Sequence, residues 1–187
     1  MTGPAVRDIA LDRYRAAIAP LPVRDGAPGA PRAVLFERVL LSTPLFFPIT
    51  LDLHAFRDAF QLDGLYLAEA YDAIFDPAFA AGLLPRRDAL AAAPAGEAEM
   101  FVLGGSGNHF HWLLDFLPRL ALASAGTTRL VTADFGPRQR ESLDFALAAL
   151  GLPALPVRPL PDGVVGVRHA TVPTAPARAF AVAFWRR

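Results

Sequence analysis

"MFVLGGSGNHFHWLLDFLPRLALASAGTTRLVTADFGPRQRESLDFALAALG", residues 100–151, decides how this chain is read. It opens on a short apolar run that ends in glycines, the pattern of a buried strand. "NHFHWLLDFLPRLALA" then has helical spacing, interrupted at Pro118, which lacks an N–H and crowds the carbonyl four residues back. "TRLVTA" is a second strand. "PRQRESLDFALAALG" is a second helix, with Pro137 suited to its first turn and Gly151 to its end.

Further downstream, "ALPVRPL" and "VRHATVP" supply two more candidate strands. Strand, helix, strand, helix, strand predicts a parallel sheet with crossover helices, because parallel neighbours need a long connection. Residues 100–187 are therefore expected to form a Rossmann-like βαβαβ unit in an α/β protein. The sequence then ends at "AFAVAFWRR", short of the βα units that usually complete such a sheet. A half-protein, completed by a missing C-terminal domain or a second chain, is the expectation.

Upstream the pattern is weaker. Residues 1–30 read as an irregular lead, with "PLPVRDGAPGAP" rich in turn formers. Residues 31–99 read as a β-rich or mixed segment. Within it, 33–53 suggest two short strands broken at Pro44 and Pro48. "LDGLYLAEAYDAIFD", 62–76, fits a strand pair or a helix equally well. "ALAAAPAGEAE", 89–99, reads as a connector.

Bulk composition narrows the field. With 187 residues, 53% of them hydrophobic, the chain can bury a core and is not a disordered one. Its net charge is zero, so no overall field draws it to nucleic acid or an anionic membrane. All 18 basic residues are arginine, which reads as compositional bias. Absence of cysteine excludes disulfides, thiolate metal sites and cysteine nucleophiles. "MTGPAVRDIALDRYR" has no apolar run for a secretory signal, and "VLLSTPLFFPITLDL" is well short of the roughly 20 residues of a bilayer span. A cytoplasmic protein, at most peripheral to the inner membrane, is expected.

On a helix turning about 100° per residue, Asn108, His111, Asp115 and Arg119 fall within an arc of about 80°. Phe110, Leu113, Leu114, Leu117 and Leu120 take the opposite side, toward the sheet, while Trp112 and Phe116 flank the polar stripe. Such a stripe is ordinarily the wet face of an amphipathic helix. This one has no Lys or Glu, sits beside a Trp, and starts at the carboxyl end of a strand, where open α/β sheets place ligands. His111 and Asp115 are one turn apart. The carboxylate can orient the imidazole, or either group can accept a proton from a substrate hydroxyl. Arg119 suits an ion pair with Asp115 or an anion clamp, and Asn108 suits a helix cap or a ligand contact.

Several motifs nearly fit. "GGSGN" has the strand–turn–helix setting of a G-x-S-x-G nucleophile elbow around Ser106, but Asn108 stands where the last glycine belongs. Gly105 and Gly107 lack the third glycine of a dinucleotide fingerprint, and no P-loop lysine follows. His109 and His111 point about 200° apart on a helix, which denies them a shared metal ion. His54 and His169 are isolated. No metal and no organic cofactor are predicted.

The same helix carries a family likeness. "NHFHWLLDFLPRL" resembles the N-[YFH]-[YF]-H-W-L-x-[DE]-x-L-P-R-L signature of glycosyltransferase family 61 and its bacterial capsular and lipopolysaccharide relatives. Asn108, His111, Trp112, Leu113, Asp115, Leu117, Pro118, Arg119 and Leu120 match, and His109 stands where Tyr is more usual. The likeness covers about residues 100–175. It implies a GT-B architecture of two facing Rossmann-like domains. The implied reaction is inverting transfer of a sugar from a nucleotide donor, the co-substrate, to a saccharide or glycolipid acceptor. Only the N-terminal, acceptor-side domain is matched: the arginine-rich segment and glycine loop of the donor side are missing. In this picture His111 is the base and Asp115 its orienter. Trp112 stacks on a sugar, Asn108 and Arg119 bind substrate, and Gly105 and Gly107 let backbone approach it. The alternative is a non-catalytic remnant or carbohydrate-binding module of the same fold.

Overall fold

The computed structural model describes residues 18–19, 32–43, 46–52, 55–56, 77–94, 99–161, 163–174, 176 and 178–186. The 62–76 segment and His54 lie outside them. The described residues form a mixed α/β structure around one mixed sheet. In chain order its strands are β1 (Ile18–Ala19), β2 (Ala33–Thr43), β3 (Phe47–Ile49), β4 (Ala55–Phe56), β5 (Glu99–Gly104), β6 (Thr127–Thr132), β7 (Val157–Pro159) and β8 (Gly163–Pro173). Across the sheet they lie in the order β1-β4-β3-β2-β8-β5-β6-β7.

From Glu99 to Pro159 strands and helices alternate. β5 pairs in parallel with β6, and β6 with β7. A compound helix over 109–122, here α2, and α3 (Pro137–Ala149) make the two crossovers. The expectation of a purely parallel sheet is corrected by β8. It lies parallel to β5 on one side but antiparallel to β2 on the other, in register from Ala33↔Pro173 to Thr43↔Gly163. Residues from the two ends of the sequence thus share one sheet, and the N-terminal segment extends it.

Alternation along the central strands sets the two faces. Phe101, Leu103 and Leu130 point to one side and pack against Trp112, Leu117 and Leu120 of α2 and Leu143, Ala146 and Leu147 of α3. Val102 and Val131 point to the other and join Val39, Leu41, Val167, Val172 and Leu160. Period-2 side chains with an apolar partner on each face are what a central strand requires.

Three other expectations change. Residues 18–19 pair with Ala55–Phe56, so the lead is not wholly irregular. β2 is one continuous strand, and Pro48 lies inside β3 instead of breaking it. Its partner Leu41 keeps the register, and the chain turns before β3, at Phe46, whose φ is 59°. Residues 89–92, read as connector, are the last turn of a helix, α1 (Pro77–Ala92), which runs through Pro85. Good helix formers at its end and the buried Leu83 and Leu90 outweigh the missing N–H. A last helix, α4 (Arg178–Phe184), follows β8. No helix among the described residues is long and apolar enough to cross a membrane.

Candidate functional site

The site lies where β5 and β6 end and α2 begins. Gly104 closes β5 with φ +79°, and a methyl group on it would stand 2.9 Å from the Phe116 ring. Both facts require glycine there. Gly105 meets the protein itself: an added Cβ would be 3.0 Å from that of Ala133. On its Cβ side, the expected close backbone approach is therefore made to the β6–α3 loop. Gly107 has free space around it, and its carbonyl accepts a 3.4 Å bond from the Gln139 amide of α3.

Asn108 caps α2. Its Oδ1 accepts from the Phe110 N–H at 3.0 Å, which satisfies one orphan donor of the first turn. The Ser106 hydroxyl accepts the Asn108 N–H at 3.1 Å and so serves the turn.

α2 itself is irregular. His109–His111 is α-helical, Trp112–Phe116 is a π turn, and Leu117–Leu122 is 3-10 helix. Pro118 accounts for the change of winding: its ring crowds the carbonyl of Leu114, and widening the preceding turn relieves that contact. The consequence is a rotation of the faces drawn at uniform pitch. Phe110, expected on the sheet, is 56% exposed. Arg119, expected on the open stripe, is 4% exposed.

His111 and Asp115 remain together. His111 Nδ1 and Asp115 Oδ2 are 2.7 Å apart, with side chains 46% and 13% exposed. A carboxylate accepting at Nδ1 holds the neutral ring's proton there and leaves the Nε2 lone pair bare. That is the arrangement of a general base whose orientation is fixed from behind. The Phe110 ring stands edge-on to the imidazole at 5.9 Å.

Arg119 lies behind the pair. Its Nε donates to the Asp115 backbone carbonyl at 2.8 Å, and its guanidinium carbon is 4.8 Å from the centre of the Phe116 ring. Burial lowers its pKa from the ordinary arginine value to about 10, and the attraction of Asp115 opposes that shift. A cation so enclosed supports the carboxylate and is not an open anion clamp.

Trp112 is corrected outright. Its indole is fully buried, stacked between Phe116 and Phe135, and its Nε1 donates to Ser142 Oγ of α3 at 2.9 Å. No face is left for a saccharide. The exposed aromatic beside His111 is Phe110, which uniform helical pitch placed on the wrong side. His169 sits half-buried with φ +49° at an irregular point of the β2–β8 pairing, remote in role from this helix. Among the described residues no three His, Asp or Glu side chains converge as a metal site. No protein-family model, curated protein or solved structure matches the chain.

Proposed function

We propose that the chain is the acceptor-side, Rossmann-like half of a GT-B-type inverting glycosyltransferase acting in surface polysaccharide or glycolipid synthesis. The observation that carries this reading is the 2.7 Å His111–Asp115 bond at the start of a crossover helix, with the imidazole half-exposed. The likeness of residues 108–120 to the family 61 signature points the same way.

In the proposed reaction the acceptor hydroxyl gives its proton to His111 Nε2 as its oxygen attacks the anomeric carbon of a nucleotide sugar. Asp115 stabilises the imidazolium that forms, and the nucleotide diphosphate departs from the opposite face. Phe110 offers an apolar surface for one face of the acceptor sugar. The buried position of Arg119 leaves the leaving group to charges outside this site, which fits a donor site on another domain or chain. The same observation favours a second reading, a carbohydrate-binding module without donor chemistry.

Transfer of radiolabelled sugar to glycan or glycolipid acceptors tests the first reading, measured for the chain together with its donor-binding partner. His111→Ala and Asp115→Ala should each lower the rate at least ~100-fold, the scale of general-base catalysis, with circular dichroism unchanged. Wild-type rates in the double variant would end it. Calorimetry of the isolated chain separates the two readings from any donor-binding one: acceptor glycans should bind, nucleotide sugars should not.

A further inference from the structure

The π turn leaves a backbone carbonyl without its usual partner. Leu117, four residues beyond Leu113, gives its N–H to the Trp112 carbonyl. Pro118, five residues beyond, has none. Neither residue can therefore serve the Leu113 carbonyl, and a half-buried carbonyl without a donor is unfavourable. The indole Nε1 of Trp185, just after α4, donates to it at 2.9 Å.

Trp185 is itself held in place from two sides. Its ring stacks on Phe145 of α3 at 6.4 Å and meets Phe184 edge-on at 5.1 Å. An aromatic residue 72 positions along the chain thus supplies the donor that the interrupted helix lacks.

We propose that Trp185 is a positioning residue for the His111–Asp115 pair, acting through the π turn. The turn lies between the two members: His111 precedes it and Asp115 is its fourth residue. In an α-helix a residue four positions on is rotated by about +40°, whereas π winding, at about 4.4 residues per turn, sets it about 30° to the other side. The winding of residues 112–116 therefore decides from which side the carboxylate reaches Nδ1. Capping the Leu113 carbonyl favours the wide turn over a return to α winding, in which that carbonyl would reclaim the Leu117 N–H. The indole bond thereby selects one position for Asp115.

The positioning role rests on the proposed role of His111 as base. The structural link does not, and it can be read without turnover. The test is nitrogen-15 NMR of the His111 ring in the intact chain, which reports which ring nitrogen carries the proton. In the wild type the neutral ring should carry it on Nδ1. Trp185→Phe keeps an aromatic ring against Phe145 and Phe184 but has no N–H, and it should shift at least a tenth of the His111 population to the Nε2-protonated form. Phe145→Ala removes the stacked ring but keeps the indole N–H, and should leave the His111 signals where they are.

Unchanged His111 signals in a folded Trp185→Phe chain would overturn the proposal. Equal shifts in both variants would overturn it too, because packing and not the hydrogen bond would then be responsible. So would a Trp185→Phe chain that no longer folds, since a positioning contact is separable from the fold. If the NMR result holds and no glycosyl transfer is ever found, the positioning link survives and the transferase reading alone falls.

Discussion

α2 and α3 make successive crossovers on the same face of the same sheet, yet they are built in opposite ways. α3 has one winding from end to end. Pro137 starts it, and Gly151, at φ +66°, ends it. There the Leu152 N–H returns to the Leu147 carbonyl and that of Gly151 to Ala148, a Schellman close. Leu143, Ala146 and Leu147 face the core, while its charged side chains and Phe145 lie outward. α2 changes winding twice in 14 residues (109–122), hides an arginine and a tryptophan, and borrows a hydrogen-bond donor from Trp185. Regular winding suffices where a helix only covers a sheet. Where a helix also carries a carboxylate-bonded imidazole, departures from it are held by contacts from elsewhere.

The largest expected effect separates the helices by their aromatic residues. Trp112→Ala should destabilise the chain by about 3–5 kcal/mol, the range for truncating a large buried ring, read as the midpoint of urea unfolding. Phe145→Ala, at a ring that is 63% exposed, should change it by less than about 1 kcal/mol. Equal losses would break the contrast between a buried and a covering helix.

Arg119 gives a pH-dependent version of the same contrast. Its folded pKa, about 10, lies below the ordinary arginine value, so between the two the unfolded chain binds more protons than the folded one. Stability of the wild type relative to Arg119→Met should therefore rise with pH across that window, by about 1 kcal/mol per pH unit. Below pH 10 the difference should be flat. Urea unfolding of both chains at pH 9, 10 and 11 checks this.

Two glycines extend the comparison to the helix boundaries. Gly104→Ala puts a side chain at positive φ and 2.9 Å from the Phe116 ring, and should cost about 1–3 kcal/mol. Gly151→Ala meets open space, so only the backbone strain of a left-handed residue remains, at about 1 kcal/mol. A reversed order in thermal unfolding would mean that Phe116 is not fixed over the end of β5.

The same contrast explains what the sequence reveals of this molecule. Local rules are enough for β5, β6 and α3, because Pro137, Gly151 and the alternating apolar residues act within a few positions of themselves. They also place the Asn108 cap, the interruption at Pro118 and the His111–Asp115 spacing. They fail where distant parts of the chain decide. A uniform 100° pitch puts Phe110 inside and Arg119 outside; the π turn, held in part by Trp185, reverses both. The β2–β8 pairing joins residues as far apart as Ala33 and Pro173, and nothing in either segment alone specifies it. Trp112 carries no local sign of its bond to Ser142.

The proposed role of His111 requires that an imidazole backed by a carboxylate meet a saccharide at the end of β5. The direct measurement is the nitrogen-15 spectrum of the histidine rings during titration with capsule- or lipopolysaccharide-type oligosaccharides. A saturable shift of His111 Nε2, with His109 unmoved and the response lost in Asp115→Ala, is the predicted result. Oligosaccharides that bind without moving His111, or that move it equally in Asp115→Ala, would contradict it.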